Sequence, residues 1–431
     1  MRMEIEVKVF TLNCWGIPVI SKHRHERMAT IASYLAVSDF DFVFLQELWS
    51  QEDFNTVHSK TSHNLPYAHY FHSGVLGSGV CILSKSPIID TGMLKYTLNG
   101  YAHKFYHGDW FGGKVVGLCK VIHRGLSFNL YVTHLHAEYN RQWDVYLSHR
   151  ISQSFELSQY VKLTSDMCDV AILAGDLNTE PLDPPYNIIL HNTNLEDAFV
   201  AQDLGPDMFC MGATCGHPDN YYTSKAEKND CPTGKRIDYV MFKVGKGVVA
   251  NCKVCRNPTE KTPSGLPLSD HEAVEVTLKV GKSSEVGTPV SCGSISPSKL
   301  VGTCTPALVD ALHRGQEQLG RSLDGLYLDK LFYVLAGCFI TCVLAGTMPI
   351  QLSLAYQWIL VLIRTFAAMS LGFCFMMGFF WNAMERSSLL SARKSMRLLY
   401  DAFVKEVANY GGYPLNETPT GKLIEQGDLR V

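Results

Sequence analysis

The sequence has no excess of positive charge, since 38 lysine and arginine residues are set against 41 aspartate and glutamate residues. The formal net charge of −3 gives no sign of a protein that coats nucleic acid, so no nucleic-acid partner is expected. The first residues contain no apolar stretch followed by a cleavage site, so no secretory signal is predicted. The fourteen cysteines are then expected to be free thiols in a reducing compartment. One close pair, Cys252 and Cys255, is too few for a structural zinc site.

Charge is almost missing between Leu331 and Met384, where Arg364 is the one charged residue. A helix needs about 20 apolar residues to cross the hydrocarbon core of a bilayer, so this stretch has room for two spans. We place the spans at about 331–348 and 355–380, with a turn that contains Pro349 between them. A buried hairpin of a soluble protein is the alternative, but core helices usually carry charges on one face and these do not.

Basic residues lie on both sides of this predicted hairpin, whereas its turn has none. Arg321 and Lys330 precede the hairpin, and Arg386, Arg393, Lys394 and Arg397 follow it. The positive-inside rule then places both ends in the cytosol, which predicts an integral membrane protein whose preceding domain is cytosolic. Residues 384–407 are basic and amphipathic, and would either lie on the membrane surface or pack on the domain. We favour the surface.

Short apolar runs alternate with amphipathic stretches before residue 280, which we interpret as one domain, 1–280. Many strands with few helices, predicted at 22–36 and 137–163, indicate an α/β fold with two sheets flanked by helices. The predicted strands, rich in β-branched and aromatic residues, are 7–13, 42–46, 79–83, 115–121, 128–133, 170–175, 237–242 and 273–278.

Composition divides the rest of the chain. Residues 203–236 are rich in Gly, Pro, Asn and Asp and are expected to form an irregular surface insertion. Residues 282–305 are rich in Ser, Gly, Pro and Thr, which is typical of a linker. We therefore predict a flexible linker at 281–325, a two-span transmembrane hairpin at 326–384 and an amphipathic cytosolic segment at 385–431.

Polar side chains directly flank several of the apolar segments, at the positions where a buried sheet presents its edge. They are Asn13, Glu47, the pair Asp176 and Asn178, and the pair Asp270 and His271. Hard oxygen ligands with spare imidazoles suit a divalent cation and the hydrolysis of phosphate esters. Each cluster alone has an ordinary explanation, such as an Asx turn or a helix cap. Their conjunction in one domain favours a site.

The order of these clusters resembles that of the endonuclease/exonuclease/phosphatase superfamily. The motifs are Leu-Asn-Cys-Trp-Gly at 12–16, Gln-Glu at 46–47, Thr-His-Leu-His-Ala-Glu at 133–138, Gly-Asp-Leu-Asn at 175–178, Arg-Ile-Asp-Tyr-Val at 236–240 and Ser-Asp-His-Glu at 269–272. The resemblance covers about residues 7–278 and implies a DNase-I-like four-layered α/β sandwich that cleaves phosphate esters with Mg²⁺. Within the superfamily, segments 98–101, 107–111 and 134–140 are similar to the neutral sphingomyelinases, as is a catalytic domain followed by a two-span hairpin.

The resemblance also implies roles for individual residues. Glu47 matches the glutamate that binds the metal, with Asn13 beside it, and Asp270 would hold the metal or its water. The implied cofactor is Mg²⁺. His271 matches the general base that takes a proton from the attacking water, and Asp238 matches the carboxylate that orients this imidazole.

Five further residues would contact the nucleophile or the substrate. Asp176 and Asn178 would position the nucleophile and meet the phosphate, and His134 would bond a non-bridging oxygen. Lys114, which follows two glycines, would reach the phosphate or else lie solvated in a tight turn. Trp110 would hold the choline ammonium by a cation–π contact, although a core position or insertion into the bilayer fits equally well.

The resemblance implies a phosphodiesterase that hydrolyses sphingomyelin to ceramide and phosphocholine, with choline lysophospholipids left open as further substrates. The endoplasmic reticulum or Golgi is the implied membrane, and the two spans would allow homo-oligomers. A phosphoinositide phosphatase or a nuclease on the same scaffold is the first alternative, although the sequence shows few clustered basic residues near the motifs. A non-catalytic membrane adaptor is the second, although an idle site has no use for so many mutually repelling acids.

Overall fold

The strands form two six-stranded sheets in the computed structural model, which describes residues 4–202, 212–258, 260–282 and 305–409. Residues that pack well on a pleated surface dominate the central strands. The strands are β1 (Glu4–Asn13), β2 (Phe42–Gln46), β3 (Tyr67–Tyr70), β4 (Cys81–Ser84), β5 (Ile88–Lys95), β6 (Val115–His123), β7 (Leu126–His134), β8 (Val170–Asp176), β9 (Glu196–Asp197), β10 (Asp238–Val244), β11 (Val248–Arg256) and β12 (Val274–Lys282).

Helices flank the sheets and continue beyond them. They are α1 (Arg24–Val37), α2 (Gln51–Thr61), α3 (Leu147–Thr164), α4 (Pro184–Thr193), α5 (Ala198–Ala201), α6 (Lys225–Asp230), α7 (Pro306–Thr347), α8 (Gln357–Phe375) and α9 (Asn382–Asn409). Two short 3₁₀ helices, Ala102–His107 and Asp109–Phe111, lie between β5 and β6, and a π-helical turn, Met376–Trp381, joins α8 to α9.

Strand register brings several of the polar residues to one edge of the sandwich. The first sheet has the order β11-β12-β1-β2-β4-β3, and its parallel pair β1 and β2 sets Asn13 opposite Gln46. The second has the order β5-β6-β7-β8-β10-β9, and its parallel pair β7 and β8 sets His134 opposite Asp176. Strand β10 runs antiparallel to β8, so its first residue, Asp238, also lies opposite Asp176.

The two sheets pack face to face around an apolar core, in which the rings of Phe42 and Phe128 lie 5.3 Å apart. Burying a side chain of this kind stabilises the fold by about 1.5–3 kcal/mol. Helices α1 and α2 lie against the outer face of the first sheet, and α3 and α4 against that of the second. This arrangement confirms the predicted four-layered α/β sandwich.

Each predicted strand has a counterpart, but the sequence did not predict β3, β5, β9 or β11. All four lie at the edges of the two sheets, where burial is lower and the apolar pattern is weaker. Helix α3 begins at Leu147 rather than at residue 137. Asn140 is the reason, because its side-chain oxygen accepts the backbone N–H groups of Gln142 and Trp143 at 2.9 Å each and holds a turn there.

Helix α7 and the continuous helical stretch Gln357–Lys405, which begins with α8, are long and apolar enough to cross a membrane, by their length and composition. Helix α7 contains the predicted span 331–348 except for its last residue, and the predicted span 355–380 begins two residues before α8 and ends in the π-helical turn after it. The chain turns between Thr347 and Gln357 as expected. Most side chains of this helical hairpin are exposed. Arg364 donates to the backbone carbonyls of Met348 and Ile350 at 3.3 Å each, so its charge is directed at the turn.

Residues 306–325 form the start of α7, although the sequence predicted a flexible linker over 281–325. Thr305 caps this helix by accepting the Leu308 N–H at 3.1 Å, and Pro306 occupies its first turn. One face then packs on the α/β domain, where Leu308, Leu312 and Leu319 are buried. This burial explains why these residues are ordered as a helix. Residues 283–304 of the predicted linker lie outside the described residues.

Helix α9 packs along α7 and against the α/β domain rather than lying free for a membrane surface. Leu389, Met396 and Phe403 are buried in the same cluster as Ile151 and Phe155. The apolar positions of this segment therefore cover protein, which is the alternative that we did not favour from the sequence. Residues 410–431 of the predicted C-terminal segment lie outside the described residues.

Candidate active site

His271 and Asp238 form a buried hydrogen-bonded pair at the edge where the strands end. His271 Nδ1 lies 2.8 Å from Asp238 Oδ2. Ser269 ties this region to β1, because its hydroxyl donates to Asn13 O at 2.6 Å. Thr214 Oγ1 accepts the backbone N–H of Asp238 at 3.0 Å. The pair is thus held from both sheets.

The charge of Asp238 controls the protonation of His271. Burial by itself lowers the pKa of His271, but the adjacent carboxylate outweighs burial and holds the pKa well above the ordinary 6.5. The thiol of Cys215 also contacts this imidazole. The arrangement suits an imidazole that accepts a proton and is stabilised as an imidazolium.

Three predicted residues form a second group across the same edge. The Asn13 amide donates to Glu47 Oε1 and to Asp176 Oδ2 at 3.0 Å each, and its oxygen accepts the Trp15 N–H at 3.0 Å. Burial, followed by the charge of Asp238, raises the pKa of Asp176 to about 7. Burial and the charge of Asp270 raise the pKa of Glu47. Such crowding of acids is costly unless protons or a cation compensate for it.

These acids meet the requirements of a cation site. Glu47 Oε2 and Asp238 Oδ1 are buried and have no hydrogen-bond partner among the described residues. Ligand atoms of Asp176, Asp238 and His271 lie within 4.8 Å of one another. Buried polar atoms are usually paired, so unpaired carboxylate oxygens in a group of acids fit a hard divalent cation.

Two of the site residues have a left-handed backbone. Glu47 has φ 54° and Asn178 has φ 46°, a conformation that costs roughly 1–2 kcal/mol for a residue other than glycine. Asn178 is held there by hydrogen bonds from its N–H to Asp176 Oδ1 at 2.8 Å and from its amide to Leu135 O at 3.0 Å. The chain therefore turns sharply as soon as each strand has delivered its side chain to the edge.

Lys114 is buried beneath the site instead of being solvated in a turn. Its ammonium lies 2.6 Å from Asp109 Oδ1 and 3.1 Å from His134 Nε2, and it donates to Leu135 O at 2.6 Å. His134 Nε2 is in turn 3.5 Å from Asp176 Oδ2. Burial and then the Lys114 charge hold the pKa of His134 well below 6.5, so this imidazole is neutral.

Trp110 is the one predicted site residue that the structure does not bring to this group. Its ring lies edge-on to Trp381 at 5.8 Å and to Phe111 at 4.9 Å, at the junction with the helical hairpin. It does not line the cleft of about 520 Å³ that contains His271 and Asn178. Asp270 lies beside His271, where its Oδ1 accepts the Ser269 hydroxyl at 3.1 Å.

The sequence did not reveal the role of Asp109 and Tyr139. Tyr139 OH donates to Asp109 Oδ2 at 2.5 Å, and Asp109 in turn pairs with Lys114. Tyr139 and Glu138 line the cleft, and Glu138 pairs with Lys235 at 2.9 Å. Asp109 and Tyr139 lie in segments 107–111 and 134–140, which both contributed to the resemblance. The resemblance could therefore have pointed to these two residues, although it implied no role for them.

The comparison with protein families decides where this chain belongs. Residues 10–271, more than half of the chain, match the model of the Endonuclease/Exonuclease/phosphatase family. The chain belongs to this family.

Its relatives place it among the neutral sphingomyelinases. It is 43% identical over 323 residues to sphingomyelin phosphodiesterase 2 of Rattus norvegicus, covering 74% of each chain. It is 33% identical over 440 residues to a putative neutral sphingomyelinase of Drosophila melanogaster, covering 92% of this chain and 97% of the relative. An inositol phosphosphingolipids phospholipase C of Schizosaccharomyces pombe is 35% identical over 293 residues, covering 64% of this chain and 69% of the relative. This member of the family is therefore a phosphodiesterase.

Proposed function

We propose that this phosphodiesterase hydrolyses sphingomyelin to ceramide and phosphocholine, with Mg²⁺ as its cofactor, at the membrane that anchors it. The observation that carries the proposal is the buried His271–Asp238 pair beside the carboxylates of Asp176 and Glu47. A proton acceptor next to a site for a hard cation is what the hydrolysis of a phosphate diester requires.

Glu47 and Asp270 would hold Mg²⁺, with Asn13 beside them. The unpaired Glu47 Oε2 supports this assignment. When bound, the cation supplies Lewis-acid polarisation of the phosphate and offsets the negative charge that develops on it. Because Asn13 donates to both Glu47 and Asp176, it orients the carboxylates of the site.

The residues of the chain move the proton and hold the phosphate. Water attacks phosphorus and gives its proton to His271 as the bond to the ceramide oxygen breaks, and the ceramide alkoxide that leaves takes a proton from solvent. Asp238 stabilises the resulting imidazolium through Nδ1. Asp176 would position the water, and Asn178 and His134 would contact the phosphate oxygens. Lys114 supports His134 from below and contributes positive charge near the phosphate.

The helical hairpin would anchor the enzyme with its catalytic domain in the cytosol, in the endoplasmic reticulum or Golgi. Arg386 and Lys330 lie at the ends of the apolar stretch, which supports this orientation. The exposed apolar faces of α7 and α8 would also allow contacts between copies of the chain in the membrane.

A single assay tests the proposal. The purified full chain in detergent is given labelled sphingomyelin, phosphatidylcholine, a choline lysophospholipid, an inositol phosphosphingolipid and a phosphoinositide, each with and without Mg²⁺. We expect phosphocholine release from sphingomyelin that requires Mg²⁺ and falls at least about 10²-fold in His271→Ala. Val37→Asp, on the far edge of the domain, serves as the control.

Three outcomes would refute the proposal. Loss of inorganic phosphate from the phosphoinositide as the main reaction would favour the phosphatase alternative. Absence of turnover on every lipid would favour the adaptor. Activity that is unchanged in His271→Ala would remove the assigned base.

A further inference from the structure

The helical hairpin leaves the catalytic domain at the edge that carries the site. Trp381, where α8 passes into α9, contacts Trp110 with ring centroids 5.8 Å apart. Leu98, Gly100 and Met384 line a small cleft at the same junction. Asp109, the neighbour of Trp110, is the residue that pairs with Lys114 beneath His134. The apolar hairpin and the catalytic cleft therefore share one end of the molecule.

Two loops at this edge expose large apolar side chains. Val75 and Leu76, between β3 and β4, are 83% and 59% exposed. Trp143, between β7 and α3, is 78% exposed. We call these three side chains the apolar rim. Exposed tryptophan is uncommon on a soluble surface, and it is enriched where proteins meet the interface of a bilayer.

Backbone contacts fix the first loop to the site, and the second loop adjoins the site through side chains. The Leu76 N–H donates to Phe111 O at 3.3 Å, and Gly74 forms an isolated bridge with Gly112, two residues before Lys114. The Trp143 loop follows Tyr139, which bonds Asp109, and Gln142, which lines the cleft. The Val75–Leu76 loop is thus connected to the hairpin through Phe111 and Trp110, while Trp143 lies one residue after the cleft residue Gln142.

We propose that the apolar rim is a second membrane contact, which docks the cleft on the lipid surface independently of the hairpin. This inference rests on the proposed function, because a phosphodiester of a membrane lipid lies at that surface and the cleft must face it. The hairpin, docked on the domain through α7 and α9, holds the domain near the bilayer, but its contacts lie outside the cleft. Apolar side chains next to the cleft would hold the cleft against the lipid surface by entering the interface.

Two forms of the substrate separate docking from chemistry. The full chain, reconstituted in vesicles of phosphatidylcholine and long-chain sphingomyelin, is compared with the chain in detergent acting on monomeric short-chain sphingomyelin. The variants are the pair Val75→Asp with Leu76→Asp, and Trp143→Asp. Val37→Asp is the matched control, because Val37 is 86% exposed at the opposite edge of the sandwich, just before β2.

We expect kcat/KM on vesicles to fall about tenfold or more in the rim variants, while the rate on monomers changes less than about twofold. The control should match the unsubstituted chain in both assays. Equal losses on both substrate forms, or no loss on vesicles, would overturn the proposal. A rim variant that changes the oligomeric state in detergent would overturn it as well, by assigning the surface to a second copy of the chain.

An uncharged variant guards against a purely electrostatic effect of the new aspartates. Trp143→Ala should show the same preferential loss on vesicles, and an unchanged melting temperature would exclude misfolding. If the unsubstituted chain cleaves neither form of sphingomyelin, the proposed function fails and not the docking surface. Binding of the rim to vesicles, measured by a fluorophore at position 75, would then still support the docking surface although the proposed function had failed.

Discussion

The pH dependence of activity should be set by Asp238 through His271. Only the neutral imidazole accepts a proton, so the rate should rise with pH as His271 loses its proton. Asp238→Asn removes the charge that raises the pKa of His271, so the acidic limb of the profile should move to lower pH. The plateau should fall by about 10²–10⁴-fold, because the imidazolium loses its partner.

The profile of kcat/KM against pH measures this shift, and the C–H signals of His271 in NMR report its pKa directly. Asp90→Asn, which removes an exposed carboxylate far from the site, is the control. An acidic limb that stays in place in Asp238→Asn would contradict the role of the pair.

A divalent cation should stabilise the folded chain more at pH 8 than at pH 5. The pKa of Asp176, at about 7, lies above its ordinary 3.8. The contribution of the protonated Asp176 carboxyl to the free energy of unfolding is therefore fully present below about pH 4. It is lost as the pH rises through 7. Bound Mg²⁺ compensates for the negative charge of Asp176, and that charge is present only after the carboxyl has lost its proton.

The melting temperature of chelated and Mg²⁺-loaded protein, measured at both pH values, tests this expectation. Asp176→Asn should reduce the dependence on pH in the chelated protein, because the group no longer titrates. A cation effect that is equal at pH 5 and pH 8 would argue against binding at these carboxylates.

Lys114 should matter for folding as well as for activity. Its ammonium is buried against Asp109, so Lys114→Met would leave that buried carboxylate without its cation. The pKa of Asp109 lies below its ordinary range because, although burial opposes the charge, Lys114 more than compensates. We expect a loss of roughly 3–5 kcal/mol in the free energy of unfolding.

Chemical denaturation in detergent measures this loss, and a second replacement, Asp109→Asn, should recover part of it. Lys120→Met is the matched control, because Lys120 forms an exposed pair with Asp90 at 3.4 Å. Such a pair contributes about 0–1 kcal/mol. Equal losses of unfolding free energy in the two lysine variants would show that the buried pair of Lys114 contributes no more to stability than an exposed pair.

At the level of elements, the contact between β7 and β8 depends on Gly175. This residue has φ 147°, and a Cβ placed on it would lie 2.0 Å from Thr133 O. Gly175→Ala must therefore push the two strands apart next to Asp176. We expect a loss of about 1–3 kcal/mol in stability and a further fall in kcat.

Gly325→Ala provides the contrast, since a Cβ there meets nothing within 4 Å and the residue lies in α7. That change should stabilise the helix by roughly 0.5–1 kcal/mol. The denaturation midpoints of Gly175→Ala and Gly325→Ala test these two predictions. A tolerated alanine at 175 would mean that the strands adjust more freely than their backbone contact implies.

For the molecule as a whole, the buried face of α7 joins the hairpin to the catalytic domain. A Cβ on Gly315 would lie 3.3 Å from Ile151 and 3.4 Å from Met396, so the helices pack closely there. Leu312→Ala should destabilise this contact by about 2–5 kcal/mol and should speed amide exchange in α7 and α9.

Hydrogen exchange in detergent checks this expectation, with Glu317→Ala on the exposed side of α7 as the control. Exchange that accelerates equally in both variants would indicate a helix that is ordered without docking. Activity on monomeric substrate should survive Leu312→Ala, because the cluster lies outside the cleft.

The sequence by itself determined the features that depend only on the composition of a short stretch of the chain. Central strands follow from their apolar runs, and the hairpin follows from 331–384 with its one charge, because burial in a sheet or a bilayer selects such runs directly. Six site residues, Asn13, Glu47, Asp176, Asn178, Asp270 and His271, could be named because each lies beside a recognisable apolar segment. The role of each, and the choice of Asp238, came from the resemblance to the family.

Only the tertiary structure decided how these parts meet. Edge strands, the docking of residues 306–325, the burial of Lys114 and the contact of Trp110 with Trp381 depend on partners far away in the chain. A lysine after two glycines or a leucine in a mixed segment carries no local mark of such a partner. The physical reason is that local pattern reports which face is apolar, whereas packing between distant segments decides what that face covers.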